Sequence, residues 1–220
     1  MGKYRLILFD LDGTLSDPKE GITKSVQFAL KQMGIEEPNL DRLEEFIGPP
    51  LQESFARYYG FSEQETQAAI TFYRERFMTN GMFENVLYED IFLLLSLLHN
   101  ENYHLVVATS KPTVFSETIL SYFQLDKYFE KIIGSNLDGT RSSKAEIIKF
   151  ILEEYKEYRK EEVIMIGDRK HDIIGANNMG IDSIGVTYGY GTLAELQQSG
   201  PTYIVDSVMG IRNVLEKPSR

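Results

Sequence analysis

Three short apolar runs do most to limit what this 220-residue chain can fold into. Residues 4–9 (YRLILF), 103–108 (YHLVVA) and 163–166 (VIMI) are β-compatible and nearly all apolar, without the alternation of a half-solvated strand. That pattern belongs to parallel strands covered on both faces. Residues 132–133, 183–186 and 203–205 are weaker candidates of the same kind. Between the runs the period becomes helical: Val114, Ile119, Leu120 and Phe123 share one face, and Ile147, Ile148, Ile151 and Leu152 another. Helix and strand alternate from Glu89 onward. The alternation predicts βαβ units and an α/β fold built on a doubly wound parallel sheet.

Residues 17–86 break that alternation. They hold no convincing strand, and helical stretches at 19–33, 41–46, 51–59 and 62–77 are punctuated by Gly34, Gly48-Pro49-Pro50 and Gly60. The expected architecture is a Rossmann-like core of residues 1–16 and 87–220, with an all-helical cap at 17–86. Inserted directly after the first strand, the cap is placed to close over that strand's end.

Composition removes several function classes. With 23 basic and 33 acidic residues the formal net charge is -10, which argues against a basic nucleic-acid surface. There is no cysteine, so disulfides, thiolate nucleophiles and cysteine-bound zinc are excluded. The apolar run at the start is too short for a signal peptide, and the stretch 91–98, interrupted by Ser96, cannot span a bilayer. A soluble cytoplasmic protein is expected. No dimerisation stripe stands out, so the oligomeric state stays open.

Parallel α/β sheets bind ligands at the carboxyl ends of their strands. All three strong runs end there in oxygen-bearing side chains: Asp10 and Asp12, Thr109, and Asp168. In Asp10-Leu11-Asp12-Gly13-Thr14 the two carboxylates are two residues apart and point the same way in an extended stretch. Two like charges in one small space need a cation or a shared proton, and Gly13 lets the chain turn sharply afterwards. The plainer alternative is a strand-to-turn cap. Gly167-Asp168-Arg169-Lys170-His171-Asp172 repeats the arrangement after the third run, with Asp172 in the first turn of the next helix. Asp172 could simply favour the helix dipole. Taken together, three or four converging carboxylates suit magnesium, which prefers oxygen ligands. Ser143-Lys144-Ala145-Glu146 reads as a capping box, which sets Lys144 at a first helical position where a cation is disfavoured. A cluster of carboxylates would compensate it; a solvated lysine is the alternative.

The residues DLDGT at 10–14, the strand ending at Thr109, Lys144, and GDRKHD at 167–172 resemble, in order and spacing, the four motifs of the haloacid dehalogenase superfamily. The resemblance covers essentially the whole chain. Within the superfamily the chain is similar to the phosphoglycolate-phosphatase-like and bacterial 5′-nucleotidase-like members, which carry a helical cap after the first strand. The resemblance implies a magnesium-dependent phosphatase acting on a small phosphomonoester through an aspartyl-phosphate. It implies Asp10 as the nucleophile and Asp12 as the general acid and then base, with a raised pKa attributed to crowding by Asp10 and Asp168. It implies magnesium held by Asp10, the Asp12 carbonyl and Asp168, with Asp172 in support. Thr109, Ser110, Lys144 and the amides from Leu11 to Gly13 would then receive the phosphate.

Some residues depart from the commoner family pattern. Ser110 stands where related phosphatases often carry Asn, and Arg169 where many carry a small Ser. Residues 135–141 differ from those expected of phosphoglycolate phosphatases. The departures bear on substrate rather than chemistry. In the cap, Gly48-Pro49-Pro50-Leu51 resembles the stiff loop that faces the site in related enzymes, and Pro fixes its backbone. Lys24, Arg57, Tyr58 and Arg74 are candidate substrate contacts, although an exposed helix-surface role is the plainer reading of each. The aromatic stretch 55–61 reads as core packing. A sugar phosphomutase would share the Asp10 and Asp12 chemistry, but no distinctive basic cap motif favours it. Dehalogenation needs no acid at Asp12. From other classes, a phosphoryl-accepting receiver module lacks the helical insert, and a non-catalytic binding relative would not need every motif residue.

Overall fold

The first apolar run forms β1 (Leu6–Phe9) in the computed structural model, which describes residues 2–216. A two-residue strand, β2 (Ser16–Asp17), follows the turn after β1. The chain divides into two compact units: one runs up to Ser16 and resumes at Leu87, and the other is Asp17–Val86. The second unit is helical, with α1 (Lys19–Gln32), a 3₁₀ stretch at Leu40–Phe46, α2 (Leu51–Tyr59) and α3 (Glu63–Arg76), which runs on into a π-helical turn at Phe77–Gly81. Ser62 caps α3, with the Glu65 carboxylate returned to the Ser62 amide at 2.8 Å. The aromatic stretch is indeed packing: Phe55 meets Phe46 at 4.9 Å and stacks on Phe61 at 5.8 Å. The chain leaves this unit through β3 (Val86–Leu87), the partner of β2.

In the first unit the alternation continues as α4 (Ile91–Asn100), β4 (His104–Pro112), α5 (Thr113–Tyr122), β5 (Lys131–Ser135), α6 (Lys144–Glu154) and β6 (Val163–Gly167). It ends with α7 (Lys170–Met179), β7 (Asp182–Val186), α8 (Leu193–Ser199), β8 (Tyr203–Val205) and α9 (Val208–Leu215). Six strands form one parallel sheet in the order β5-β4-β1-β6-β7-β8. Chain order reverses around β1, which makes this the doubly wound α/β fold.

Both faces of the central strands are buried, which is why their sequences show no alternation. Leu6, Leu8, Val106, Ala108, Val163 and Met165 pack with Ile147, Ile148 and Ile151 of α6. The intervening Ile7, Phe9, Val107 and Ile166 are equally buried. Two details differ from the sequence pattern. Val114 faces solvent, and α5 buries Phe115, Ser116, Ile119 and Leu120 instead. That stripe is internally consistent at helical spacing, and Val114 falls outside it. Strand β4 also runs past Ala108, where the apolar run stops, because its backbone keeps pairing with β5 through an irregular register between Ala108 and Pro112. No described helix is long and apolar enough to cross a membrane.

The α6 stripe is the seal over one face of the sheet. Ile148→Ala is expected to destabilise the protein by about 2–5 kcal/mol, read from chemical denaturation. A loss below about 1 kcal/mol would show that this face is not the core.

Candidate active site

Register sets the acidic residues side by side. Phe9 is level with Val107 on one side and Ile166 on the other, and the Asp10 amide donates to the Ile166 carbonyl at 2.9 Å. Asp10 and Asp168 therefore leave the tips of neighbouring strands at the point where the strand order reverses, the place such sheets use for ligands. Asp172 arrives from the first turn of α7. All three are buried, and one carboxylate oxygen from each lies within 4.8 Å of the others.

The turn after β1 is tight. The Leu11 carbonyl accepts from Leu15 at 2.9 Å and Ser16 at 3.1 Å, and Gly13 sits at φ +81°. A Cβ on Gly13 would overlap the Asp168 carboxylate, so glycine is required by conformation and by space. Its amide, expected to face phosphate, instead donates to the Ser16 carbonyl at 2.8 Å. The Leu11 amide is likewise engaged, donating to Asp10 Oδ1 at 2.8 Å. Asp168 Oδ2 accepts from the Tyr190 amide at 2.7 Å, and its Oδ1 from Thr14 Oγ1 at 3.4 Å.

Two lysines offset this charge. Ser143 and Glu146 form the capping box read from sequence, and it sets Lys144 on the first turn of α6. From there Lys144 Nζ reaches Asp10 Oδ1 at 2.9 Å, Asp172 Oδ1 at 2.8 Å and the Ala108 carbonyl at 2.8 Å. The position disfavoured by the helix dipole is offset by two carboxylates. The second lysine was not singled out from sequence. Lys111 Nζ pairs with Asp12 Oδ2 at 2.8 Å, both side chains being buried. It follows Thr109 and Ser110 in the irregular stretch that extends β4 beyond its apolar run. Only its place two residues beyond the threonine could have marked it.

Burial dominates the protonation of these groups. It pushes Asp12 up; Lys111 pulls the other way, and Asp10 adds a smaller upward push. Crowding by Asp168 is not among the leading causes, which corrects the expected origin of that shift. Burial also drives Asp168 well above the usual carboxylate range, helped by Asp172 and Asp10. Asp172 is raised from 3.8 to about 6, burial outweighing its Lys144 partner. Burial opposes the Lys144 charge, but Asp10 and Asp172 outweigh it and keep the ammonium protonated.

Thr109 is buried beside the cluster, its Oγ1 accepting from the Lys111 amide at 3.3 Å, and Ser110 is half-buried. Among the candidate substrate contacts in 17–86, Lys24 pairs with Glu20 at 2.5 Å, the Arg57 guanidinium lies 5.3 Å from the Tyr58 ring, and the Tyr58 hydroxyl donates to Glu45 at 3.0 Å. Arg74 is half-buried, and burial lowers its pKa.

The donor set fits a divalent cation. Asp10, Asp168 and Asp172 offer oxygen only, and Asp12 Oδ1 is buried without a hydrogen-bond partner. At formal charge, four carboxylates against the ammoniums of Lys111 and Lys144 leave a deficit of two positive charges (4 − 2).

A family model described as haloacid dehalogenase-like hydrolase matches residues 7–186. A 5′-nucleotidase of Pseudomonas aeruginosa is 49% identical over 214 residues, covering 97% of this chain and 96% of its own. The tyrosine-protein kinase PtkA of Mycobacterium tuberculosis is 36% identical, covering 91% of this chain and 68% of its own. The crystal structure of a predicted phosphatase from Clostridium acetobutylicum superposes with a TM-score of 0.94 at 49% identity, covering 97% of this chain and 99% of that one.

The Asp172 shift has a signed consequence. A carboxyl with a raised folded pKa binds its proton more tightly when folded, so its contribution to stability declines as pH rises from about 3.8 through about 6. In chelator, Asp172→Asn should gain on wild type across that window, by up to about 3 kcal/mol. Paired thermal melts between pH 4 and 7 measure the difference, and a flat difference would contradict the shift.

Proposed function

The chain belongs to the haloacid dehalogenase-like hydrolases and is a phosphoric monoester hydrolase among them, and from that premise we propose a magnesium-dependent reaction through an aspartyl-phosphate on Asp10. The observation that carries this reading is the buried Asp10, Asp168 and Asp172 cluster braced by Lys144. Among the described residues, the Leu11 amide and Lys144 both meet Asp10 at Oδ1, leaving Oδ2 to attack phosphorus. As the Oδ2–P bond forms, the bond to the ester oxygen breaks, and that oxygen takes a proton from Asp12. Lys111 holds Asp12 Oδ2, so Oδ1 is the oxygen assigned to proton transfer. Asp12 then takes a proton from water as the water attacks phosphorus, which frees Asp10 and inorganic phosphate. The raised pKa of Asp12 suits a group that begins as the acid. Thr109 Oγ1 and the Ser110 amide are assigned to the phosphoryl oxygens, and Lys144 to Asp10 and the transferred group. Magnesium on Asp10, Asp168 and the Asp12 carbonyl, with Asp172 in support, would neutralise phosphoryl charge and align the attack.

A nucleoside 5′-monophosphate is the substrate class we favour, since the 49%-identical relative is a 5′-nucleotidase. Phosphoglycolate stands second, and residues 135–141 depart from what that substrate predicts. We further propose that the protein is cytoplasmic.

Purified protein assayed against a panel of phosphomonoesters, ranked by kcat/KM, should favour nucleoside monophosphates. Phosphate release with an aryl phosphate should stop in excess chelator and return with magnesium; full activity in chelator would refute the metal-dependent reading. Asp10→Asn should lower kcat by about 10³-fold or more. Asp12→Asn should retain a phosphoryl group on the protein, visible by intact mass. Wild-type rates in Asp10→Asn would remove the nucleophile assignment. A single labelling without turnover would favour a receiver role, and transfer from ATP to tyrosine would favour the kinase named among the relatives.

A further inference from the structure

Arg169 departs from the commoner pattern of the GDRKHD motif at 167–172, and the reaction leaves it unused. Its guanidinium is buried, and Nε meets Glu195 Oε1 at 3.0 Å. The same Glu195 oxygen accepts from the Lys170 amide at 2.9 Å, at the first residue of α7. The neighbouring Arg169 amide is taken by Asp172 Oδ2 at 3.0 Å. Two carboxylates, one local and one from α8, thus satisfy the first amides of the helix that carries Asp172.

The position of Glu195 shows what it is recruited for. Three helices begin with the same spacing of hydroxyl cap and Glu at the third helical position: Ser62 with Glu65, Ser143 with Glu146, and Thr192 with Glu195. In the first two the Glu carboxylate folds back onto its own cap amide, at 2.8 Å and 3.2 Å. In the third the Thr192 cap is made, with its hydroxyl accepting from the Glu195 amide at 3.1 Å. The Glu195 carboxylate crosses to Arg169 and Lys170 instead. A local closure available to the chain is given up for a tie between helices.

That tie closes a loop on the carboxylate cluster. Residues 187–192 run from β7 to α8, and along them the Tyr190 amide binds Asp168 Oδ2 at 2.7 Å. The Tyr188 hydroxyl donates to the Thr14 carbonyl at 3.0 Å, in the turn after β1. A Cβ on Gly191 would overlap the Asp168 carbonyl, so the loop lies directly against the strand tip. Ion pairs drawn partly out of water add little net stability once their desolvation is counted, so a role in placement explains this one, buried at Arg169 and half-buried at Glu195, better.

We propose that Glu195, through Arg169 and the Lys170 amide, is a positioning residue that locks Asp168 and Asp172 into the geometry that binds the divalent cation. This rests on the metal reading given above. Groups that hold a ligand's orientation from outside the coordination shell typically change metal affinity by about 10–100-fold when removed.

The test is magnesium binding to the intact protein, by calorimetry and by magnesium-dependent thermal stabilisation, in wild type, Glu195→Ala, Glu195→Gln and the double variant Arg169→Ser with Glu195→Ala. Glu195→Ala should weaken the magnesium Kd by about tenfold or more. Glu195→Gln keeps an acceptor for the Lys170 amide and should lose less. Arg169→Ser combined with Glu195→Ala should weaken binding no further than Glu195→Ala alone, because both remove one tie. A purely structural role predicts a lower Tm with the Kd within twofold of wild type, and that result in Glu195→Ala and Glu195→Gln alike would overturn the proposal. Wild-type protein with no saturable magnesium binding would overturn the metal reading itself, and this inference with it.

Discussion

Bringing Asp10, Asp168 and Asp172 into one buried space sets like charges against each other where water cannot screen them. The surrounding core unit answers that repulsion in several ways at once. Lys144 spans two of the three acids, Lys111 pairs with Asp12 beside them, and the Tyr190 amide and Thr14 hydroxyl hold Asp168. Burial raises Asp12, Asp168 and Asp172 toward their neutral forms, so the residual charge can be relieved by protons or by a cation. That choice links folding to chemistry. A cation would relieve the charge that the lysines leave, and an acid raised by burial has a proton to give.

The parallel sheet makes the arrangement reachable from distant stretches of sequence. Asp10 and Asp168 are 158 positions apart in the chain (168 − 10) yet leave adjacent strand tips, because β1 lies between β4 and β6. Lys144 reaches the same place from a helix start, which puts a cation where the dipole disfavours it and makes its carboxylate partners necessary. The Glu195 tie follows the same logic one layer out. A carboxylate that could satisfy its own helix is used to fix another helix whose first turn bears Asp172.

Much of this was legible in the sequence because it depends on local rules. Unbroken apolar runs ending in Asp or Thr mark strands buried on both faces, with polar tips. The capping box at Ser143 marks where α6 begins, and the glycine after Asp12 marks a turn. What local rules could not give is which polar groups those tips would use against each other. Nothing local marks Lys111 as the partner of Asp12 or Arg169 as the partner of Glu195; β4 and α8 bring those pairs together. The Gly13 amide went to the Ser16 carbonyl rather than outward, since a turn satisfies its own amides first.

The sequence by itself determined the class of fold, the helical stretch that follows the first strand, and the polar residue types that stand at the strand ends. Periodicity and strand-end composition are short-range properties, and they survive in a linear reading. The tertiary structure alone decided the pairings: Lys144 with Asp10 and Asp172, Lys111 with Asp12, and Glu195 with Arg169. Those partners are far apart in the chain, and their attraction grows strong only where the folded chain lowers the dielectric around both, at a desolvation cost to each.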